Sequence, residues 1–368
     1  VPALVVTGGA SSLTPPFAGI GKAGGARDIT NVTPSAAYVI PSGQSVDIGL
    51  TGGGIDGTVS LRAIGQGISV HPGSVHVEPN ISFGGQPLVR ATLDIAAVKT
   101  PTLASVILTK GSSVLSMSGV LVLVPPTPTF STNAVSNAAS FKGTGVVSPG
   151  ELASIYDSTG GSLGPDPYVQ NTAFDLYGNL PNGAAGVSVT FDGILAPIYL
   201  AYAKQLNVQV PFEVAGKTST QVVVNYYGSK SAPVTLAVAP AQPAFFTATA
   251  GGNDSIIQNF PDNSLNSGQN PIARGGFVTI YGTGIGMPYP LGTGQQGVVP
   301  PTGYTSASAS CSFGGQSAAA YAYWVFGLVG EASWTVQVPS GSPTGTVALT
   351  CTDPVSGAST QPGTVYIK

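Results

Sequence analysis

Val187-Ser188-Val189-Thr190-Phe191 alternates apolar and polar side chains without a break, the period of a strand that buries one face and wets the other. Ser45-Val46-Asp47-Ile48-Gly49-Leu50 and Val336-Gln337-Val338 repeat the pattern. Clusters of Gly, Pro, Asn and Ser separate such stretches at roughly 8–12 residues, the spacing of antiparallel sandwiches. No window carries a helical stripe of apolar residues. The expected fold is therefore all-β, built as three tandem immunoglobulin-like β-sandwich domains.

Composition narrows the function. The 368 residues include 51 Gly and 31 Pro, but only 7% are charged, against roughly 25% in an average soluble domain. With 42% hydrophobic residues the chain has enough apolar surface to fold. A formal net charge of -3 leaves no cationic surplus for phosphates, so nucleic acid is not an expected partner. The longest apolar run, Gly119 to Val124, is strand-sized and far below the ~20 residues of a membrane span. The first residue is Val1 rather than Met, as expected after removal of an export signal.

Pro125-Pro126-Thr127-Pro128 reads as a stiff extended linker, and Ala239-Pro240-Ala241-Gln242-Pro243 marks a second boundary. The expected layout is an N-terminal strand and flexible tether over residues 1–25, a sandwich over 26–124, a Pro-rich linker over 125–129, and sandwiches over 130–242 and 243–368. The last two read as copies. Ala153-Ser154-Ile155-Tyr156 recurs as Val278-Thr279-Ile280-Tyr281, and Val208-Gln209-Val210-Pro211 as Val336-Gln337-Val338-Pro339. The offset drifts between these motifs, which places extra residues of the second copy near Val325 to Glu331.

Asn137-Ala-Ala-Ser-Phe141, Ser148-Pro-Gly-Glu151, Gly186 to Pro197, Gln205 to Gly216 and Asn270-Pro-Ile-Ala-Arg-Gly275 stand in this order. Over about residues 130–368 the chain thereby resembles the uncharacterised C-terminal β-sandwich module of acidobacterial secreted proteins. The resemblance implies a sandwich fold, export and a surface or structural role. It implies no catalytic residue.

Side chains with possible chemistry are few. His71, His76 and Glu78 share a Pro-Gly turn and fall short of the convergent ligand set that zinc requires. Gly282-Thr-Gly-Ile-Gly286 follows a strand, but Met287-Pro288-Tyr289-Pro290 prevents the helix that a dinucleotide fingerprint needs. Glu151 and Asp157 lie an even number apart and share a strand face, one arrangement of two hydrolytic carboxylates. The simpler reading is a core face whose charged ends reach solvent, and Asp166 adds no constellation. Asn253-Asp254, Asp262-Asn263 and Asn266 read as Asx turns rather than a calcium cage. Asn31, Asn80 and Asn253 match the glycosylation pattern by chance in a chain of bacterial type. No enzyme, metal or cofactor is expected. So few ionisable groups also predict weak pH dependence of stability.

Three features stand out. Tyr321, Tyr323, Trp324 and Phe326 place aromatics on both faces of one strand, so either a neighbour covers the second face or the rings stack on sugars. Cys311 and Cys351 are candidates for a disulfide, in keeping with an oxidising compartment. Val1, Leu4, Val5 and Val6 form a short apolar strand on a Gly/Pro-rich tether. Donated to a neighbouring copy, that strand generates a head-to-tail fibre. Outward Ser, Thr and Gln in place of Lys and Glu leave sheet edges unguarded and favour the same outcome. The expected function is a secreted structural protein, a homopolymeric filament or cell-surface subunit joined by strand donation. The alternative is a carbohydrate-binding surface adhesin or module.

Overall fold

The computed structural model describes residues 3–7, 38–51, 55–78, 87–158, 162–287, 291–298, 307–353 and 356–368. The chain is all-β. Among the described residues the helical elements are two short 3-10 turns, Thr132–Ala134 and Phe212–Val214. No helix among them is long and apolar enough to cross a membrane.

The residues divide into two compact units, 1–127 with 227–229, and 128–226 with 230–368. The first division falls inside the Pro-rich linker. Three separate hydrophobic clusters form the cores, one in the first unit and two in the second.

In the first unit a five-stranded sheet, ordered Ala3–Thr7, Gln44–Thr51, Leu88–Ile95, Ile68–Val70 with His76–Glu78 also on Leu88–Ile95, accompanies a four-stranded sheet. The latter runs Tyr38–Pro41, Ser113–Val124, Thr102–Lys110, Ser60–Ile64. Alternation does what the sequence implies. Val46, Ile48 and Leu50 point inward to meet Leu93, Leu108, Leu115 and Met117.

The N-terminal strand is paired within its own chain. Ala3–Thr7 pairs antiparallel with Gln44–Thr51 of its own chain, Leu4 opposite Leu50, Val5 opposite Gly49 and Val6 opposite Ile48. The reason is local. Gln44–Thr51 has Leu88–Ile95 on one flank, and the five-residue strand Ala3–Thr7 covers residues 47–51 on the other. Val1 and the expected tether lie outside the described residues.

The second unit holds the two copies. In the first, Val135–Asn137, Leu152–Tyr156, Gln205–Gln209, Ile198–Ala201 and Val169–Gln170 form one sheet. Val146–Val147, Val234–Val238, Ser219–Tyr226, Val187–Phe191 and Ile194–Leu195 form the other. The second copy is instead a single nine-stranded sheet. Pro197 accounts for the difference. It separates Ile194–Leu195 from Ile198–Ala201 and sends them to opposite sheets, since proline cannot donate to a ladder. The second copy has no proline there, and Gln316–Trp324 runs through, joining Ala307–Phe313 on one side to Ala332–Gln337 on the other.

Equivalent hydrogen bonds mark the repeat. Gly150 N donates to Val210 O (3.0 Å) and Gly275 N to Val338 O (2.8 Å); Val210 N donates to Glu151 O and Val338 N to Gly276 O, both at 2.8 Å. The copies are also fastened together. Phe212 of the first packs into the core cluster of the second. The Tyr199 hydroxyl donates to Val329 O (2.9 Å) and accepts from Val329 N (3.0 Å). Val329 belongs to the extra residues 325–331, so this insertion forms part of the joint.

Candidate functional site

Four neighbouring strands of the nine-stranded sheet, Ile257–Phe260, Phe277–Thr283, Ala332–Gln337 and Gln316–Trp324, contain no charged residue. Their inward positions, among them Ile257, Val278, Ile280, Trp334, Val336 and Trp324, form the core. The pleat therefore turns the alternate residues outward.

Register sets these into rows. Phe260 stands opposite Phe277, and Phe277 opposite Gln337. In the next row Gln258, Thr279, Thr335 and Tyr321 follow one another across the strands. Beyond it come Tyr281, Ser333 and Tyr323. Strand and residue spacings of a sheet put Tyr321 and Phe277 about 12 Å apart.

The rings on this face are open. Tyr321 is 61% exposed, Phe260 56% and Phe277 42%. Tyr281 and Tyr323 are half-buried and held by hydrogen bonds. Tyr281 Oη donates to Gln258 Oε1 at 2.8 Å, and Tyr323 Oη lies 3.2 Å from Thr335 Oγ1. Burial, with smaller contributions from Tyr323 and Glu331, pushes the Tyr281 phenol up from its ordinary value, so it remains a neutral hydroxyl. Chemically the face offers flat apolar rings beside amide and hydroxyl groups, without charge.

Other aromatic assignments need correction. Trp324 is 1% exposed and packs edge-on to Phe212, with ring centroids 5.6 Å apart; it is a core residue and cannot stack on a ligand. Phe326 is 74% exposed but lies past the strand end, in a loop where it bridges Gly297. Gln296 Nε2 in turn donates to Gly178 O (3.1 Å), next to the exposed Leu176 and Tyr177. Sequence pattern alone does not distinguish Phe260 and Phe277 as site residues. The signal available was the alternation of Phe277 with Val278 and Ile280, but only register brings it beside Phe260.

The carboxylate pair also resolves. Glu151 is completely buried and does not reach solvent as expected. Asp157 accepts from Ser162 N (3.2 Å) and Oγ (3.0 Å). Six residues of extended chain separate the two acids by about 20 Å, beyond the ~5–9.5 Å of hydrolytic pairs. Asp166 is exposed.

His71 Nδ1 contacts Asp94 Oδ2 at 2.8 Å, and Ser45 Oγ donates to Asp94 Oδ1 at 2.7 Å. The carboxylate lies between hydroxyl and imidazole, the wrong order for activating a serine. His76 and Arg90 flank Glu78 at 3.6 and 2.9 Å. Among the described residues no three His, Cys, Asp or Glu side chains converge as metal ligands. Asp262 accepts from Ser264 N and Oγ, and Asn266 Nδ2 donates to Asn259 Oδ1 and Tyr366 O. Asn253 is exposed, while Asn31 and Asn80 lie outside the described residues. Cys311 and Cys351 face each other on adjacent strands and are joined, Cα to Cα 4.0 Å.

Fold and face together define an all-β protein with an uncharged aromatic sheet face. No protein-family model and no curated protein matches the sequence. Among solved structures the chain is similar to the Bacteroides ovatus mixed-linkage glucan utilization locus protein SGBP-B in complex with mixed-linkage heptasaccharide. The identity is 13%, over 99% of this chain and 70% of that one, with TM-score 0.26. A three-immunoglobulin titin fragment matches at 10% identity over 90% of this chain and 95% of its own, with TM-score 0.21. An ICAM-5 ectodomain fragment matches at 12%, over 90% and 74%, with TM-score 0.25. Scores at this level carry no argument about function.

Proposed function

We propose that the chain is an extracellular, non-enzymatic surface protein whose third sandwich binds a neutral glycan on the Phe260, Phe277 and Tyr321 face. The observation that carries this reading is three exposed rings set among Gln258, Gln337, Thr279 and Thr335 on four strands without a charge. Pyranose rings present apolar C–H faces to aromatics and hydroxyls to amides, and an uncharged platform suits a polymer that carries no charge itself. An exposed apolar patch of this kind marks a binding surface. The Cys311–Cys351 bond and the resemblance to acidobacterial secreted modules support placement outside the cell.

A filament joined by strand donation has weaker support, because Ala3–Thr7 is already paired within its own chain. Affinity electrophoresis through a panel of soluble neutral polysaccharides tests the glycan reading. Retardation by at least one polymer, lost in both Tyr321→Ala and Phe277→Ala at unchanged melting temperature, is the expected result. Equal mobility of all three proteins in every gel overturns it. Light scattering on the same samples reads out any self-assembly.

A further inference from the structure

Glu151 occupies the one place where a carboxyl group has least reason to be. It sits in the turn Ser148-Pro149-Gly150-Glu151, and its side chain is wholly inaccessible. Ser148 donates to Oε2 from its backbone N (2.7 Å) and from Oγ (2.9 Å). Gln242, with its amide turned so that both ends are satisfied, donates to the same oxygen at 3.2 Å and to Val146 O at 2.8 Å, and accepts from Thr144 Oγ1 at 2.9 Å. Gln242 is no ordinary surface amide. It lies in the segment connecting the two sandwiches, its backbone carbonyl accepts from Asn137 Nδ2 (3.0 Å), and its N–H donates to Gly284 O of the second copy (2.8 Å).

The rest of the turn is clamped in the same joint. Leu152 N donates to Thr283 Oγ1 (2.9 Å), and Thr283 Oγ1 donates to Gly330 O (2.7 Å). Gly150, at φ +75°, leaves no space for a Cβ against the Phe212 and Trp324 rings. The ionisable groups on the elements around the turn are Glu213, Glu331, Lys217 and the exposed Lys142. Lys217 is paired with Asp192 at 2.8 Å and Glu213 accepts from Thr293 Oγ1; none of the four is a hydrogen-bond partner of Glu151. A carboxylate here would be an anion without a counter-ion inside the protein.

We propose that Glu151 is a proton-operated latch on the joint between the two sandwiches. Its Oε2, accepting from Gln242 and from Ser148, ties the turn to the connecting segment, and as the neutral acid it does so without burying a charge. Once ionised, it must be hydrated or paired, and the joint has to loosen to allow either.

The buried environment raises its pKa from 4.5 to about 8, against the opposing pull of hydrogen bonds from Ser148 and Asn137. The sign follows from linkage. Between those values the unfolded chain has released a proton that the folded chain retains, so stability falls as pH rises through the window and levels off above it. The folding constant of the second unit is expected to drop by up to tenfold per pH unit between about 4.5 and 8.

Denaturant unfolding of the intact chain and of Glu151→Gln across pH 4.5–9 is the test. Glutamine keeps the shape and has no proton to lose, so its profile should lack the Glu151 slope while the native chain shows it. Parallel profiles overturn the latch. Should Glu151→Gln not fold, the ¹³C carboxyl titration of Glu151 in the native chain decides. A midpoint near the usual glutamate value overturns the proposal, and one several units higher, with backbone amides around Gln242 exchanging faster above it, supports it.

Discussion

Phe212 of one sandwich meets Trp324 of the next edge to face, ring centroids 5.6 Å apart and planes at 83°. Both rings are buried, and Phe212 counts among the core residues of the neighbouring copy rather than its own. This contact explains why two repeats form one compact unit.

Phe212→Ala should therefore cost about 3–5 kcal/mol and separate what melts together. Calorimetry of the native chain should show the two copies unfolding in one transition, which the variant splits into two. A single unsplit transition in the variant would mean that Tyr199–Val329 and the turn contacts hold the joint alone.

Gly150→Ala probes the same joint from the backbone. A non-glycine residue in the left-handed region costs roughly 1–2 kcal/mol before any clash, and here the new methyl lies 2.8 Å from Trp324 Cζ2. Chemical denaturation should register a loss above that figure. Gly275→Ala, at φ +80° but with open space around its Cβ position, should lose only the backbone share.

Tyr321 and Trp324 are three residues apart and should behave oppositely. Trp324→Ala is expected to destabilise by about 3–5 kcal/mol. Tyr321→Ala should stay within about 0.5 kcal/mol, as exposed positions do, yet abolish retardation by glycan. Thermal scans paired with affinity gels distinguish the two.

Cys311–Cys351 closes a loop with a sequence separation of 40, for which chain entropy gives roughly 4 kcal/mol. Reduction, or Cys311→Ser with Cys351→Ser, should lower stability by about that amount in the second unit and leave unfolding of the first unchanged. Tryptophan fluorescence follows the second unit selectively, because Trp324 and Trp334 both lie in it.

Deletion of residues 1–7 should destabilise the first unit and expose the edge of Gln44–Thr51. The expected readout is a lower melting temperature with increased aggregation. Dissociation of pre-existing polymers into stable monomers would instead restore the donated-strand filament.

Much of this was legible in the residues. Alternation placed Tyr321 and Tyr323 on one face and Trp324 on the other, and the faces are as the period requires. It misplaced Phe326 only because the strand stops at Trp324. Composition does not reveal Glu151. Counting few charges predicts a chain indifferent to pH, whereas the proposed latch would give it a pH response through a buried acid, and burial is invisible in a count.

Period and turn chemistry determine by themselves that this chain is all-β, because each rests on neighbours within a few positions. The aromatic face, the fate of Ala3–Thr7 and the burial of Glu151 were decided by tertiary structure. They depend on which strand lies beside which and in what register, and such pairings join residues far apart in the chain through geometry that no local pattern encodes.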